Sequence, residues 1–377
     1  MNRRQFALSS MAAAASASAA GDLTKIKNID IYTSDQYYCA FPSVVRRPGG
    51  ELIVAFRRAP NRRLIGEMGY SHTDANSYCV LVRSRDNGET WTKEPESIYA
   101  HPWGGSQDPC LVQLRDGSIL CASYLWTPIA GRPGDRRRFA FQGGYVVRSD
   151  DGAHTWKGPF TPPPVPGRGD VKDSLGRPLP AYNRGALCQG RDGRLYWAVA
   201  YPKANADDDN TDIHLMISAD RGETWTYSCP IATDSKVSFN ETSLYETAQG
   251  DLVAFVRTAG MNDHTVIARS RDRGKSFAAY QDAGWQGHPH HAARLADGRV
   301  FLVYGYRHKP YGIRARVLNA ECTDFATAPE TVLRDDGGGG DLGYPWAVVL
   351  PNRRVLATYY MQHNDGLRYI GGTLLSY

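Results

Sequence analysis

The residues of this chain that could do chemistry recur at one kind of place, the polar stretch just ahead of an apolar, strand-like run. Gln107 and Asp108 lie there in GSQDPC, Asn183 and Arg184 in AYNRGA, Glu241 in FNETSLYE and Tyr344 in GYPW, while His288, His290 and His291 crowd into QGHPHHAA. Arginines close other runs, Arg57 and Arg58 in VAFRRAPN, Arg257 in AFVRT and Arg307 in YGYRHKP, and the loop GYSHTDANSY carries His72 and Asp74. Together with Trp103, Trp126, Trp285 and Trp346, these groups suggest a sugar-sized pocket with aromatic stacking platforms. The three histidines read either as a metal site or a base, or as hydrogen-bonded structural residues. Without a supporting carboxylate pattern the second reading is preferred, and neither a metal nor a cofactor is expected.

Residues so far apart need a frame that brings them together, and the sequence repeats itself in a way that supplies one. SRDNGETW, SDDGAHTW, SADRGETW and SRDRGKSF close four alternating strands, the first of them YCVLVR. Upstream, a strand, tight turn and strand recur six times, from PSVVRRPGGELIVAFR to WAVVLPNRRVLATYY, each followed by a further strand. Six such units predict an all-β, six-bladed β-propeller with four-stranded antiparallel blades. The octapeptide is the Asp-box, in which the Asp side chain accepts from turn amides, Gly supplies a positive φ and Trp packs between strands. Asp86, Asp151, Asp220 and Asp272 are therefore expected to be structural and to lie far from the pocket. Ala153 stands where the other boxes have Gly, so that turn is expected to differ.

Composition agrees. The 377 residues include 38 Gly, 22 Pro, 22 Tyr and 8 Trp, a mixture suited to short strands and tight turns. The net charge of +5 comes from scattered Lys and Arg rather than a basic stripe, which argues against nucleic acid and leaves small anionic ligands open. The opening MNRRQFALSSMAAAASASAAG resembles a twin-arginine export signal over residues 1–20, ahead of a propeller over 22–377 and implying a periplasmic or secreted protein. No later stretch is long and apolar enough for a membrane span. Seven cysteines without a C-x-x-C pair read as buried free thiols, and a monomer is expected.

Asp-boxes on a six-bladed propeller resemble the sialidase superfamily. The resemblance implies Tyr344 as nucleophile, Glu241 as its base and Asp74 as acid/base, with His72 orienting or replacing Asp74. It also implies Arg257, 16 residues after Glu241, and Arg307 as holders of a substrate carboxylate. Arg57 or Arg58 resembles a further binding-site Arg of the family. Asp108, Arg184 and His290 are expected to touch the carbohydrate from neighbouring blades. A neutral phenol suits an anionic sugar, because a carboxylate nucleophile would be repelled by the substrate's own charge. Tyr344 and Glu241 are expected at hydrogen-bonding distance, with Arg257 favouring the phenolate. One departure stands out: the first blade reads CAFPS, with Ala40 or Phe41 where the family has the first Arg of its carboxylate clamp. A polysaccharide lyase acting on a uronate, or a non-catalytic carbohydrate-binding propeller, remains open beside the exo-glycosidase.

Overall fold

The computed structural model describes residues 23–67, 72–128, 139–168, 171–173, 175–203, 210–362 and 366–377. The expected export signal and Asp22 lie outside the described residues. Six antiparallel blades form a propeller. The first pairs Tyr37–Arg46, Leu52–Pro60, Tyr78–Ser84 and Glu96–Tyr99, and the fourth pairs Ser238–Glu246, Leu252–Ala259, His264–Ser270 and Gln281–Gln286 in the same order. Central strands such as Leu52–Pro60 are buried on both faces, because each blade packs against the next. Among the described residues the one helical element is the 3-10 turn Arg62–Ile65, and no helix is long and apolar enough to cross a membrane. All seven cysteines are free, and six are buried.

The sixth blade is completed from the other end of the chain. Thr24–Tyr32 pairs antiparallel with Arg368–Ser376, from Thr24 opposite Ser376 to Tyr32 opposite Ile370. The sequence reading missed this strand, because TKIKNIDIY is exposed along most of its length and shows no clean alternation.

The Asp-boxes are turn locks. Asp86 Oδ1 accepts from the Thr90 amide (2.9 Å) and the Ser84 hydroxyl (2.7 Å), and the Ser84 oxygen accepts from the Gly88 amide (2.9 Å). The second box corrects the expectation of a different turn. Ala153 adopts φ 69° and donates its amide to Ser149 Oγ at 2.7 Å, so the hydrogen bonds impose the left-handed conformation on a residue with a Cβ.

Every blade has an irregularity near the start of its inner strand. The ladder slips between Ala40 and Ser43, between Asn240 and Thr242, and between Gly343 and Trp346. In the second blade the inner strand stops at Ser106 and resumes at Cys110. In the fifth, Gly305 bonds both His288 and Pro289 before His290 pairs with Tyr304. In the third, Tyr182 makes an isolated bridge to Ala200 ahead of the strand Cys188–Gln189. Four of the six breaks contain Pro42, Pro109, Pro289 or Pro345, which have no N–H to give to the ladder. The residues before them are Phe41, Asp108, His288 and Tyr344, and the corresponding residues of the other two blades are Arg184 and Glu241. Phe41 and Tyr344 sit at positive φ, 58° and 49°, an unusual backbone state for bulky side chains that the surrounding structure must enforce.

Candidate active site

Five of these six residues converge. The Tyr344 hydroxyl donates to Glu241 Oε1, and Arg257 Nη1 donates to Glu241 Oε2 and lies 3.4 Å from the phenol oxygen. Arg184 and Arg307 set their guanidiniums 4.7 and 4.9 Å from the centre of the Tyr344 ring. Phe41 packs edge-on against the same ring at 4.8 Å. Asp108 is buried close enough to Arg184, Glu241 and Tyr344 for their charges to act on one another. Beside this cluster is a cavity of about 370 Å³, lined by His72, Gln107, Arg184, Glu241 and Tyr344, with Tyr124, Trp126, Phe141 and Tyr182 forming an aromatic wall. Its size suits a small ligand, and its wall suits the apolar face of a sugar ring.

The electrostatics separate the carboxyls. Burial pushes Glu241 up, but Arg257, Arg307 and the hydrogen bond from Tyr344 outweigh it and hold the group below its ordinary value. Burial and the Glu241 charge push the Tyr344 phenol well above its ordinary value, against the opposing pull of Arg307 and Arg257. Arg257 thus pulls toward the phenolate as expected, but burial and Glu241 outweigh it and hold the proton on the phenol oxygen. Burial also raises Asp108 to about 6, with Arg184 working against it. Its Oδ2 accepts from the Tyr124 hydroxyl at 3.0 Å, and among the described residues its buried Oδ1 has no partner.

Several expected site residues are placed otherwise. The Asp74 carboxylate is gripped by Arg62 at 2.6 and 3.1 Å and accepts from the Asn76 amide at 2.8 Å. Burial pushes Asp74 up, but the Arg62 bonds prevail and hold it ionised, which is the wrong state for a proton donor. Arg57 is fully buried behind Phe41, its guanidinium 5.7 Å from both the Tyr38 and Phe41 rings, and cannot touch a ligand in the cavity as it stands. His290 is also fully buried and hydrogen-bonds Thr265 Oγ1 at 2.7 Å, a packing role. His288, in the break at Pro289, is buried as well and does not line the cavity. His72 does line the cavity, where it bonds Asp341 at 3.2 Å rather than Asp74. Of the four tryptophans, only Trp126 reaches the cavity. Trp103 lies at a separate hollow, Trp285 packs on Tyr304 and Trp346 stacks on His291. Reading on strand starts alone took Asp108 for a binding residue. The repeated residue-before-break position, visible as FPSV, DPCL, RGAL, ETSL, HPHH and YPWA, would have grouped it with Glu241 and Tyr344.

Comparison with known proteins agrees with this frame. The chain is 53% identical to a protein of unknown function from Dyadobacter fermentans, with a TM-score of 0.89 over 94% of this chain and 99% of that one. The NanB sialidase from Streptococcus pneumoniae superposes with a TM-score of 0.64 at 14% identity, over 92% of this chain and 70% of that one. The Trypanosoma rangeli sialidase, solved with sialic acid, gives 0.62 at 12% identity over 94% and 59%. At such identities the two sialidases testify to the fold alone. Among curated proteins none matches the sequence. The model of the BNR repeat-like domain matches residues 132–356, most of the ring, and the chain accordingly belongs to the BNR repeat-like family, on the sialidase-like six-bladed propeller.

Proposed function

We propose that this protein is an exported, retaining exo-glycosidase that hydrolyses a terminal anionic sugar. The observation that carries the reading is the contact of Tyr344, Glu241 and Arg257, three residues from two blades, at the edge of a cavity with an aromatic wall. The sialidase-like fold supports the coarser statement, a glycosidase-like or carbohydrate-binding role.

In the first step the Tyr344 oxygen bonds to the anomeric carbon as the bond from that carbon to the leaving oxygen breaks. Glu241 takes the phenol proton, and Asp108 gives its own proton to the leaving group. In the second step water bonds to the anomeric carbon and passes a proton to Asp108, while the departing Tyr344 oxygen recovers its proton from Glu241. Because the phenol is neutral at rest, its proton must leave as the new bond forms, which makes the direct hydrogen bond to Glu241 essential. Asp108 takes the role that the resemblance gave to Asp74. Of the two carboxyls, it is the one whose surroundings raise its affinity for a proton and leave an oxygen unpartnered, just behind the lining residues Gln107 and Tyr124. Arg257 and Arg307 face the substrate's anionic group, and Arg184 supports the Tyr344 ring from beneath, donating to the Tyr344 carbonyl at 2.9 Å. Phe41 removes one charge-assisted clamp, so the preferred sugar is one that needs two guanidiniums rather than three.

A panel of 4-methylumbelliferyl glycosides that includes sialic acid and uronates tests the reading. Release from an anionic sugar with retained anomeric configuration is expected. Formation of an unsaturated uronate would transfer the site to a lyase, and tight sugar binding without any release would make it a binding module.

A further inference from the structure

Two histidines and an aspartate that play no part in this reaction meet beside the site. Asp263 ends the turn between the second and third strands of the fourth blade, where Asn262 and Asp263 both take left-handed φ, 50° and 57°. His288 occupies the break before the inner strand of the fifth blade, and His308 follows that blade's second strand, Val300–Tyr306. Nε2 of His288 lies 3.7 Å, and Nε2 of His308 3.3 Å, from the same Oδ2 of Asp263. Ligand atoms of all three residues fall within 4.8 Å of one another.

These are not three groups satisfying each other. Among the described residues, Nε2 of His308, the atom that approaches Asp263, is buried without a hydrogen-bond partner, and His288 is 2% exposed. Two ring nitrogens approach one carboxylate oxygen at separations beyond good hydrogen bonds but suited to neighbours around an ion. Tetrahedral ligands held about 2.0–2.1 Å from zinc stand roughly 3.4 Å apart. We propose that Asp263, His288 and His308 bind one divalent transition-metal ion. Two imidazoles and one carboxylate favour zinc over magnesium or calcium, which prefer all-oxygen sites. Three protein ligands also leave a fourth position open. The guanidiniums of Arg257 and Arg307 lie close enough to act on His288, so that position takes an anionic oxygen, which offsets the crowding of positive charge.

The test is metal binding by the chain freed of divalent ions with a chelator and carrying no polyhistidine tag. Titration with zinc should show one ion per chain, and cobalt should give the visible spectrum of a tetrahedral site. Asp263 and His308 are partly exposed, so D263A and H308A should fold, and each should weaken zinc at least tenfold, since even outer-shell losses cost about 10–100-fold. H264A removes a histidine already paired with Asp282 and should leave binding unchanged. Absence of stoichiometric uptake at micromolar zinc, or parental affinity in both D263A and H308A, would overturn the proposal.

Discussion

Asp108→Asn tests the assignment of the proton donor, and the structure sets both the sign and the size of its effects. Burial lifts the carboxyl from 3.8 to about 6. A shift of about 2 units corresponds to roughly 3 kcal/mol against the carboxylate, and at pH 7 it leaves about a tenth of the groups protonated, some hundredfold more than for an ordinary Asp. The folded-state value lies above the unfolded one, so ionised Asp108 destabilises the fold. That penalty is absent below about pH 4, grows as pH rises through 6 and is complete above it. Asn carries no charge. The variant should therefore be more stable than the parent at pH 8 by up to about 3 kcal/mol, and equal to it near pH 4. Its kcat on a substrate with a poor leaving group should fall by roughly 10²–10⁴-fold, while an activated aryl glycoside, which needs no protonation, should lose little. Asp74→Asn should lack this leaving-group dependence. Melting curves across pH 4 to 8 beside kinetics on the two substrates provide the readout. A variant that is less stable at pH 8, or one that turns over the poor-leaving-group substrate at the parental rate, would refute the reasoning.

Two further outcomes are expected. Tyr344→Phe removes one hydroxyl and leaves Glu241 still paired with Arg257, so kcat should drop by about 10³-fold or more while the melting temperature and sugar binding stay near parental values in thermal-shift and titration experiments. Asp86→Ala removes the acceptor of the first turn lock and should cost about 1–2 kcal/mol in denaturant unfolding, with kcat unchanged.

The propeller was legible because its units repeat: four Asp-boxes and six hairpins mark the blades whatever the details of packing. Glu241, Tyr344 and Arg257 were legible through family resemblance, and the ring geometry explains how residues from different blades can meet. What failed depended on partners that no local pattern announces. Asp74 looked like a free loop carboxyl until the short turn at Arg62–Ile65 delivered Arg62 to it. Asp108 looked like a binding group at a strand start, but burial beside Glu241 raises its proton affinity. Among the histidines, neither His288 nor His290 lines the cavity: His290 turns inward to Thr265, and His288 sits buried in the break at Pro289. Ala153 went the other way: the hydrogen bonds of the box outweighed the preference of the residue.

The pairing of Thr24–Tyr32 with Arg368–Ser376 has a consequence for the birth of the molecule. Thr24–Tyr32 leaves the ribosome long before the partner strand Arg368–Ser376 is made. At about 5–20 residues per second, the delay is on the order of twenty to seventy seconds. Through that interval the growing ring is an open arc with unpaired backbone at both ends, the state in which strand edges recruit foreign strands. Completion then comes as a single event that fastens the two ends together, and a nascent chain stalled before Arg368 would remain unlatched however well its first five blades had formed.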